Sequence, residues 1–191
     1  MLRIMGKINK KRLLITVLVC LLPILLGAIV YPYLPKQMPI HYNINNEPDQ
    51  YAAKEYALFG IPVFMALLQI MCVSIAGISQ KKTNKRPKIM NIFEWMIPAM
   101  SVGIYIVMIE AQLGSTVYVG QSIGLLLGVL FILLGNYLPK MNYQDSYAMV
   151  HPIPKDEKTF RRYTRIMGYG FVIGGIIAII ISIITFFMAI A

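Results

Sequence analysis

Leu34-Pro35-Lys36-Gln37-Met38-Pro39-Ile40-His41-Tyr42-Asn43-Ile44-Asn45-Asn46-Glu47-Pro48-Asp49-Gln50-Tyr51-Ala52-Ala53-Lys54 is a polar stretch between two long apolar runs, residues 13–31 and 57–79. Each run is about as long as a hydrocarbon core of roughly 30 Å requires, so the stretch reads as the loop joining two membrane spans. Proline fixes φ, removes a donor and pushes the preceding residue toward extended geometry, so residues 34–41 should form a stiff, extended entry. Asn45 to Asp49 reads as a turn, because Asx side chains tolerate left-handed backbone and close their own turns. Asp49 then reads as the N-cap of a helix running into the second span. If the entry is extended, His41 and Asn43 share one face and Tyr42 takes the other. The mixture of prolines, amides and carboxylates predicts a structured cap rather than a slack linker.

The rest of the chain supports a membrane setting. Hydrophobic residues make up 58% of its 191 residues and charged residues 14%, with a mean hydropathy of +0.65, which excludes a solvated globular domain. Apolar runs place five spans at 13–31, 57–79, 92–109, 117–138 and 167–191, the third interrupted at Pro98. The basic start resembles a signal peptide, but the first run is long for one and no small-x-small site closes it, so it reads as a retained span. Lys and Arg number five before the first span, two in 34–56, five in 80–91, none in 111–116 and six in 139–166, which accounts for all eighteen. The positive-inside rule then sets the N-terminus inside, the His41 loop outside and the C-terminus outside. The net charge of +10 thus follows the membrane and does not call for direct nucleic-acid binding. The organisation expected is an all-α integral membrane protein, a five-helix transmembrane bundle with a short structured extracellular loop. It divides into an N-terminal membrane domain, 1–79, with two spans and the outer loop 34–56, and a C-terminal region, 80–191, with three spans and the cytoplasmic loop 139–166.

Several residues stand out against that frame. Glu94 and Glu110 are the acids in or at a span, where ionisable groups draw attention. Glu94 sits beside Trp95 within reach of Lys81–Lys88 and reads as an interfacial ion pair. Glu110 lies near the outer end, where Lys36 or Lys54 would be its natural partner, and a functional role would run through a proton or a loop contact. His41 with Glu47, Asp49 and His151 lacks the spacing of a tetrahedral metal site, and His151 falls on the other side, so no metal or cofactor is expected. His41 instead suits loop folding or ligand recognition. Gly120, Gly124 and Gly128, and Gly170 with Gly174, recur every four residues, which lets helices approach closely within the bundle or between subunits, or opens a groove for a substrate. Cys20 and Cys72 fall within spans and read as small packing residues. Residues 156–166 read as an amphipathic helix lying along the membrane, with Phe160, Tyr163 and Met167 toward lipid and Lys158, Arg161, Arg162 and Arg165 toward headgroups or a cytosolic partner. Tyr33-Leu34-Pro35-Lys36 recurs as Tyr137-Leu138-Pro139-Lys140, a thin trace of inverted halves. No nucleophile with a base, phosphate loop or zinc signature is present, so an enzyme is not expected.

Leu34-Pro35, Pro39, His41-Tyr42-Asn43, Glu47-Pro48-Asp49, Tyr51 and Lys54 resemble the N-terminal signature of the SdpI-like membrane proteins, with Asn46 where that family usually has Gly. Gly135-Asn136-Tyr137-Leu138-Pro139-Lys140 resembles the opening of the family's C-terminal signature, and the glycine-rich run 168–176 its end. Between them, Tyr147 to Pro152 and Phe160 to Arg165 depart from the family pattern. The resemblance implies a bacterial cytoplasmic membrane and an immunity function, protection from a secreted peptide toxin, with a second function of sequestering a cytosolic repressor. It also implies that Pro39, His41, Asn43, Glu47, Pro48, Asp49 and Lys54 face the toxin or form the cap, and that a repressor docks near Arg161, Arg162 and Arg165. The rival readings are a small permease or accessory subunit of an exporter, with Glu110 and Gln121 lining a path, and a structural membrane subunit without a ligand.

Overall fold

The computed structural model describes residues 9–43, 45–80, 89–113, 117–141, 143 and 156–190, and of 75–80, 89–90 and 190 the backbone only. Among the described residues five helical segments are long and apolar enough to cross a membrane, and the strand content is one small antiparallel hairpin. The first segment starts at Asn9, whose Oδ1 accepts the Arg12 N–H at 3.1 Å and caps α1 (Lys10–Leu21). Pro23 cannot donate to the Val19 carbonyl, and the Leu22 N–H takes that carbonyl at 3.3 Å instead. The chain therefore jogs there and continues as α2 (Pro23–Val30) and a 3₁₀ turn, Tyr31–Tyr33.

The hairpin follows, with β1 (Gln37–Tyr42) paired to β2 (Pro48–Ala53). The extended entry is as expected, but the Asp49 N-cap is not: Asp49 to Ala53 form the return strand. The extended backbone of Pro48–Ala53 pairs with the free backbone groups of β1, which a helix start would leave unpaired, and the helix begins only after Ala53. A π-turn, Tyr56–Gly60, then leads into α3 (Ile61–Gln80), directly before Pro62, whose missing N–H cannot serve the carbonyl four residues back.

Helix α4 (Ile89–Gln112) is unbroken at Pro98, contrary to the expected interruption. Pro98 has no N–H for the Glu94 carbonyl, and the buried Gln69 of α3 donates its Nε2 to that carbonyl at 2.8 Å. Ser101 likewise donates to the Cys20 carbonyl at 3.0 Å, joining α4 to α1. Cys20 is buried as a packing residue, whereas Cys72 is exposed.

Helices α5 (Val119–Tyr137) and α6 (Glu157–Ile190) pack along a glycine seam. A Cβ on Gly135 would lie 2.6 Å from the Gly168 carbonyl oxygen, and one on Gly175 2.6 Å from that of Gly128. The seam on α6 is thus Gly168 and Gly175, one heptad apart, and not the expected Gly170 and Gly174, which meet nothing within 4 Å. On α5 it takes Gly124 and Gly128 of the expected stripe and adds Gly135, while Gly120 stands open.

Residues 156–166 are not a separate surface helix. They are the first turns of α6, a continuous helix of 34 residues and about 51 Å. Phe160 is fully buried against Leu134 and Met141, and its ring meets Tyr143 at 5.6 Å, so it anchors the bundle instead of lying in lipid. At the hairpin end a second core joins Leu34, Met38, Ala57, Leu58, Tyr105 and Met108. Outward positions such as Leu25, Phe64, Leu67, Ile177 and Ile184 are exposed and apolar, as a lipid-facing surface requires.

Candidate functional site: a polar hairpin seated on the bundle

A two-stranded hairpin is marginal alone, so this one needs internal ties and a seat. Asn43 supplies most of the ties. Its Oδ1 accepts the N–H groups of Asn45 and Glu47, each at 2.9 Å, and its Nδ2 donates to Glu47 Oε2 at 3.0 Å. Asn46 sits at φ 61°, the left-handed conformation that glycine adopts freely and asparagine tolerates. Across the strands, His41 Nδ1 lies 2.6 Å from Asp49 Oδ1, a charged pair whenever the imidazole is protonated, with both side chains about half exposed. Pro39 pairs with Tyr51 and Pro48 with Tyr42, and the register slips on both sides of His41. A proline-bearing edge strand cannot complete its ladder, and the resulting bulge turns His41 toward Asp49.

The seat comes from several helices. Met38 is buried in the core below, and Gln112 Nε2 of α4 donates to Tyr42 Oη at 3.4 Å. Burial pushes the Tyr42 hydroxyl pKa up, partly offset by that hydrogen bond. Asn46 donates to the Val117 carbonyl and accepts from the Gly120 N–H, each at 3.4 Å, which ties the turn to the start of α5. At the other end Lys54 Nζ donates to the Tyr31 carbonyl at 3.0 Å and lies 3.8 Å from the Tyr31 ring centre. The Tyr31 hydroxyl donates to Glu55 Oε1 at 2.5 Å, and this bond holds the Glu55 carboxyl below its ordinary range. Two cavities open beside this cap. One of about 240 Å³ is bordered by Pro39, His41 and Tyr42 over Ile61 and Met108. The other, of about 350 Å³, is bordered by Asn43, Asn46, Gln121, Ser182 and Thr185.

The remaining expected residues fall in four groups. Glu94 is buried at the far end of the bundle, with Arg12 Nη1 3.8 Å from its Oε2. Lys81–Lys88, the expected partners, lie outside the described residues, as do His151 and Lys155. Arg12 also donates to Asn91 Oδ1. Glu110 is exposed and forms no ion pair among the described residues; its expected partner Lys54 is held on Tyr31 instead. Glu110 and Gln121 do come together, on one cavity. Gly135 and Pro139 pack on Gly168, and Asn136 Oδ1 accepts from Lys140 Nζ at 3.3 Å, so this motif packs α5 against α6. Arg161 is bonded to Glu157 at 2.6 Å, while Arg162 and Arg165 are exposed. Asp156 caps α6 through the Thr159 N–H at 2.8 Å, and that bond lowers its carboxyl pKa. Among the described residues no His, Cys, Asp or Glu cluster could hold a metal ion.

Sequence reasoning missed the Tyr31–Glu55 latch, the Arg12–Glu94 pair and the Gln69 donor. The last carried a signal, a glutamine within one span and a proline within the next, and Arg12 beside the first span was a base on the same side as Glu94.

A family model described as a domain of unknown function (DUF1648) matches residues 18–66, the first span, the hairpin and the start of α3. Immunity protein SdpI of Bacillus subtilis (strain 168) is 26% identical over 180 residues, which is 92% of this chain and 83% of that protein. The uncharacterized membrane protein YbgB of the same organism is 42% identical over 43 residues, 22% of this chain and 47% of that protein. No solved structure matches.

Proposed function

We propose that this chain, an SdpI-like multi-pass membrane protein, is an immunity protein that protects its cell from a secreted peptide toxin, with the hairpin as the toxin-facing element. The observation that carries the reading is the similarity to an immunity protein along 92% of the chain. The hairpin's chemistry supports the assignment of the site. Its polar side chains are spent on shaping a half-exposed surface, with His41 58% and Asp49 42% exposed, where a buried structural tie would be covered. In this reading the N-terminus is inside and the hairpin outside, where an arriving peptide meets it first. The exposed Arg162 and Arg165 then face the cytosol as a docking surface for a repressor, the finer half of the proposal.

The test is deletion of the gene in its source strain and challenge with that strain's own spent medium. Immunity predicts growth arrest that wild-type complementation reverses and His41→Ala with Asp49→Asn does not. Equal growth of the deletion and parent strains in active spent medium would sink the proposal. The transport reading gains one specific observation, that Glu110 and Gln121 border a single cavity. It predicts the opposite pattern: function lost in Glu110→Gln and kept in the hairpin variant.

A further inference from the structure

Between α4, α5 and the last turns of α6 lies a cavity of about 550 Å³, bordered by Glu110, Tyr118, Gln121, Ser182, Phe186 and Phe187 among others. Apart from the Ser122 hydroxyl and the Gln121 amide nitrogen, its polar atoms are acceptors. Glu110 brings a carboxylate, which only accepts. Gln121 Oε1 is buried and has no hydrogen-bond partner among the described residues. The Ser182 hydroxyl donates its proton to the Ala178 carbonyl at 2.8 Å, and that of Tyr118 to the Ala189 carbonyl at 2.9 Å, so both oxygens have only lone pairs left. No Lys or Arg borders the cavity among the described residues. Three aromatic rings complete it, Tyr118 edge-on to Phe186 at 5.5 Å and Phe186 edge-on to Phe187 at 5.9 Å.

We propose that this cavity binds an organic primary ammonium group carrying an apolar body. An ammonium supplies the positive charge that pairs with the Glu110 carboxylate and N–H donors for the Gln121 carbonyl and the Ser182 oxygen, and aromatic rings attract cations. A neutral apolar ligand would leave the Gln121 carbonyl unpaired, and an anion would meet the Glu110 carboxylate with no Lys or Arg on the border among the described residues to offset it. The volume exceeds the roughly 150 Å³ that holds a benzene ring, leaving room for an apolar body beside the amine. Two sources share this chemistry, the amine of a phosphatidylethanolamine headgroup and the amino terminus or lysine of an apolar peptide. The inference does not depend on the immunity reading, since it rests on the cavity alone.

The experiment uses the full chain in phosphatidylcholine nanodiscs, with tritiated 2-phenylethylammonium as probe and empty discs subtracted. Saturable binding is expected, at least tenfold weaker in Glu110→Gln and several-fold tighter in Gln121→Glu, where a second carboxylate enters. The gain in Gln121→Glu cannot arise from misfolding. The trimethylated probe, which has no N–H, should bind several-fold more weakly. Competition by phosphatidylethanolamine in the disc supports the site with a lipid amine as occupant, and competition by a tripeptide but not its N-acetyl form supports it with a peptide amine. Absence of saturable binding in both wild type and Gln121→Glu, or affinities indifferent to both substitutions, overturns the proposal.

Discussion

Gly135→Ala should destabilise the bundle, whereas Gly170→Ala should stabilise it, although both add one methyl to a helix of the same pair. At Gly135 the new Cβ would stand 2.6 Å from the Gly168 carbonyl oxygen and 2.8 Å from the Val172 nitrogen. Both neighbours are backbone atoms and cannot swing aside, so relief to an ordinary contact of about 3.4 Å requires α5 and α6 to part by about 0.8 Å. Overpacking of this kind costs about 1–3 kcal/mol, against which alanine returns about 0.5–1 kcal/mol of helix preference. At Gly170 nothing lies within 4 Å, so only the gain remains. The helix gain is common to both, so the two variants should differ by the overpacking cost alone, about 1–3 kcal/mol. The double variant Gly135→Ala with Gly168→Ala should cost less than the sum of its parts, because helices already pushed apart accept the second methyl more readily. Reversible unfolding in mixed micelles, followed by circular dichroism, measures wild type, the three single variants and the double variant. Gly135→Ala as stable as Gly170→Ala would refute the backbone-to-backbone seam.

Other outcomes follow from the hairpin and the proline repair. Asn46→Gly keeps the left-handed turn but loses the side-chain ties to Val117 and Gly120, so protease should cut the hairpin faster while the spans unfold as before; Asn46→Val should lose turn and ties together, and equal cutting of all three proteins would count against this account. Gln69→Leu should cost about 1 kcal/mol, and less in a Pro98→Ala background, where the main chain regains its own donor; an equal cost in both backgrounds would show that Gln69 is not standing in for that N–H. The Tyr31 hydroxyl lowers the Glu55 pKa, so its stabilising effect is full above the ordinary glutamate value of about 4.3 and is lost as pH falls through the lower folded value. Tyr31→Phe should therefore be less stable than wild type at pH 7 and converge with it below about pH 4, and a gap that stays constant in unfolding titrations across that range would exclude the latch.

The spans were legible because twenty apolar residues have few other fates in a chain this poor in charge. The extended entry of the hairpin was equally plain from Pro35 and Pro39. Its return strand was not, because Asp49 followed by Gln, Tyr, Ala, Ala and Lys suits a helix start locally, and only the unpaired edge of β1 makes a strand the better partner. The helix of residues 156–166 shows the same limit. Its pattern fitted a surface helix, but the periodicity does not say whether Phe160 meets lipid or Leu134, and its continuity with the last span settles that. Glycine spacing marked α5 as a packing helix while misplacing the α6 face, since a four-residue repeat and a seven-residue one both recur on one side of a helix. At the candidate site, His41, Asn43, Glu47 and Asp49 were legible as a group, yet their pairing depends on a bulge that no local pattern announces.

The unbroken length of α6 turns that helix into a lever. Taken about its close contact with α5 at Gly128 and Gly175, the helix has Arg161 about 21 Å along one arm and Phe186 about 16 Å along the other. A tilt of about 5° at the crossing carries Arg161 by about 2 Å and Phe186 by about 1.5 Å the opposite way. With no proline or turn between them to absorb the motion, such a tilt would shift the basic end and the aromatic end of the helix together.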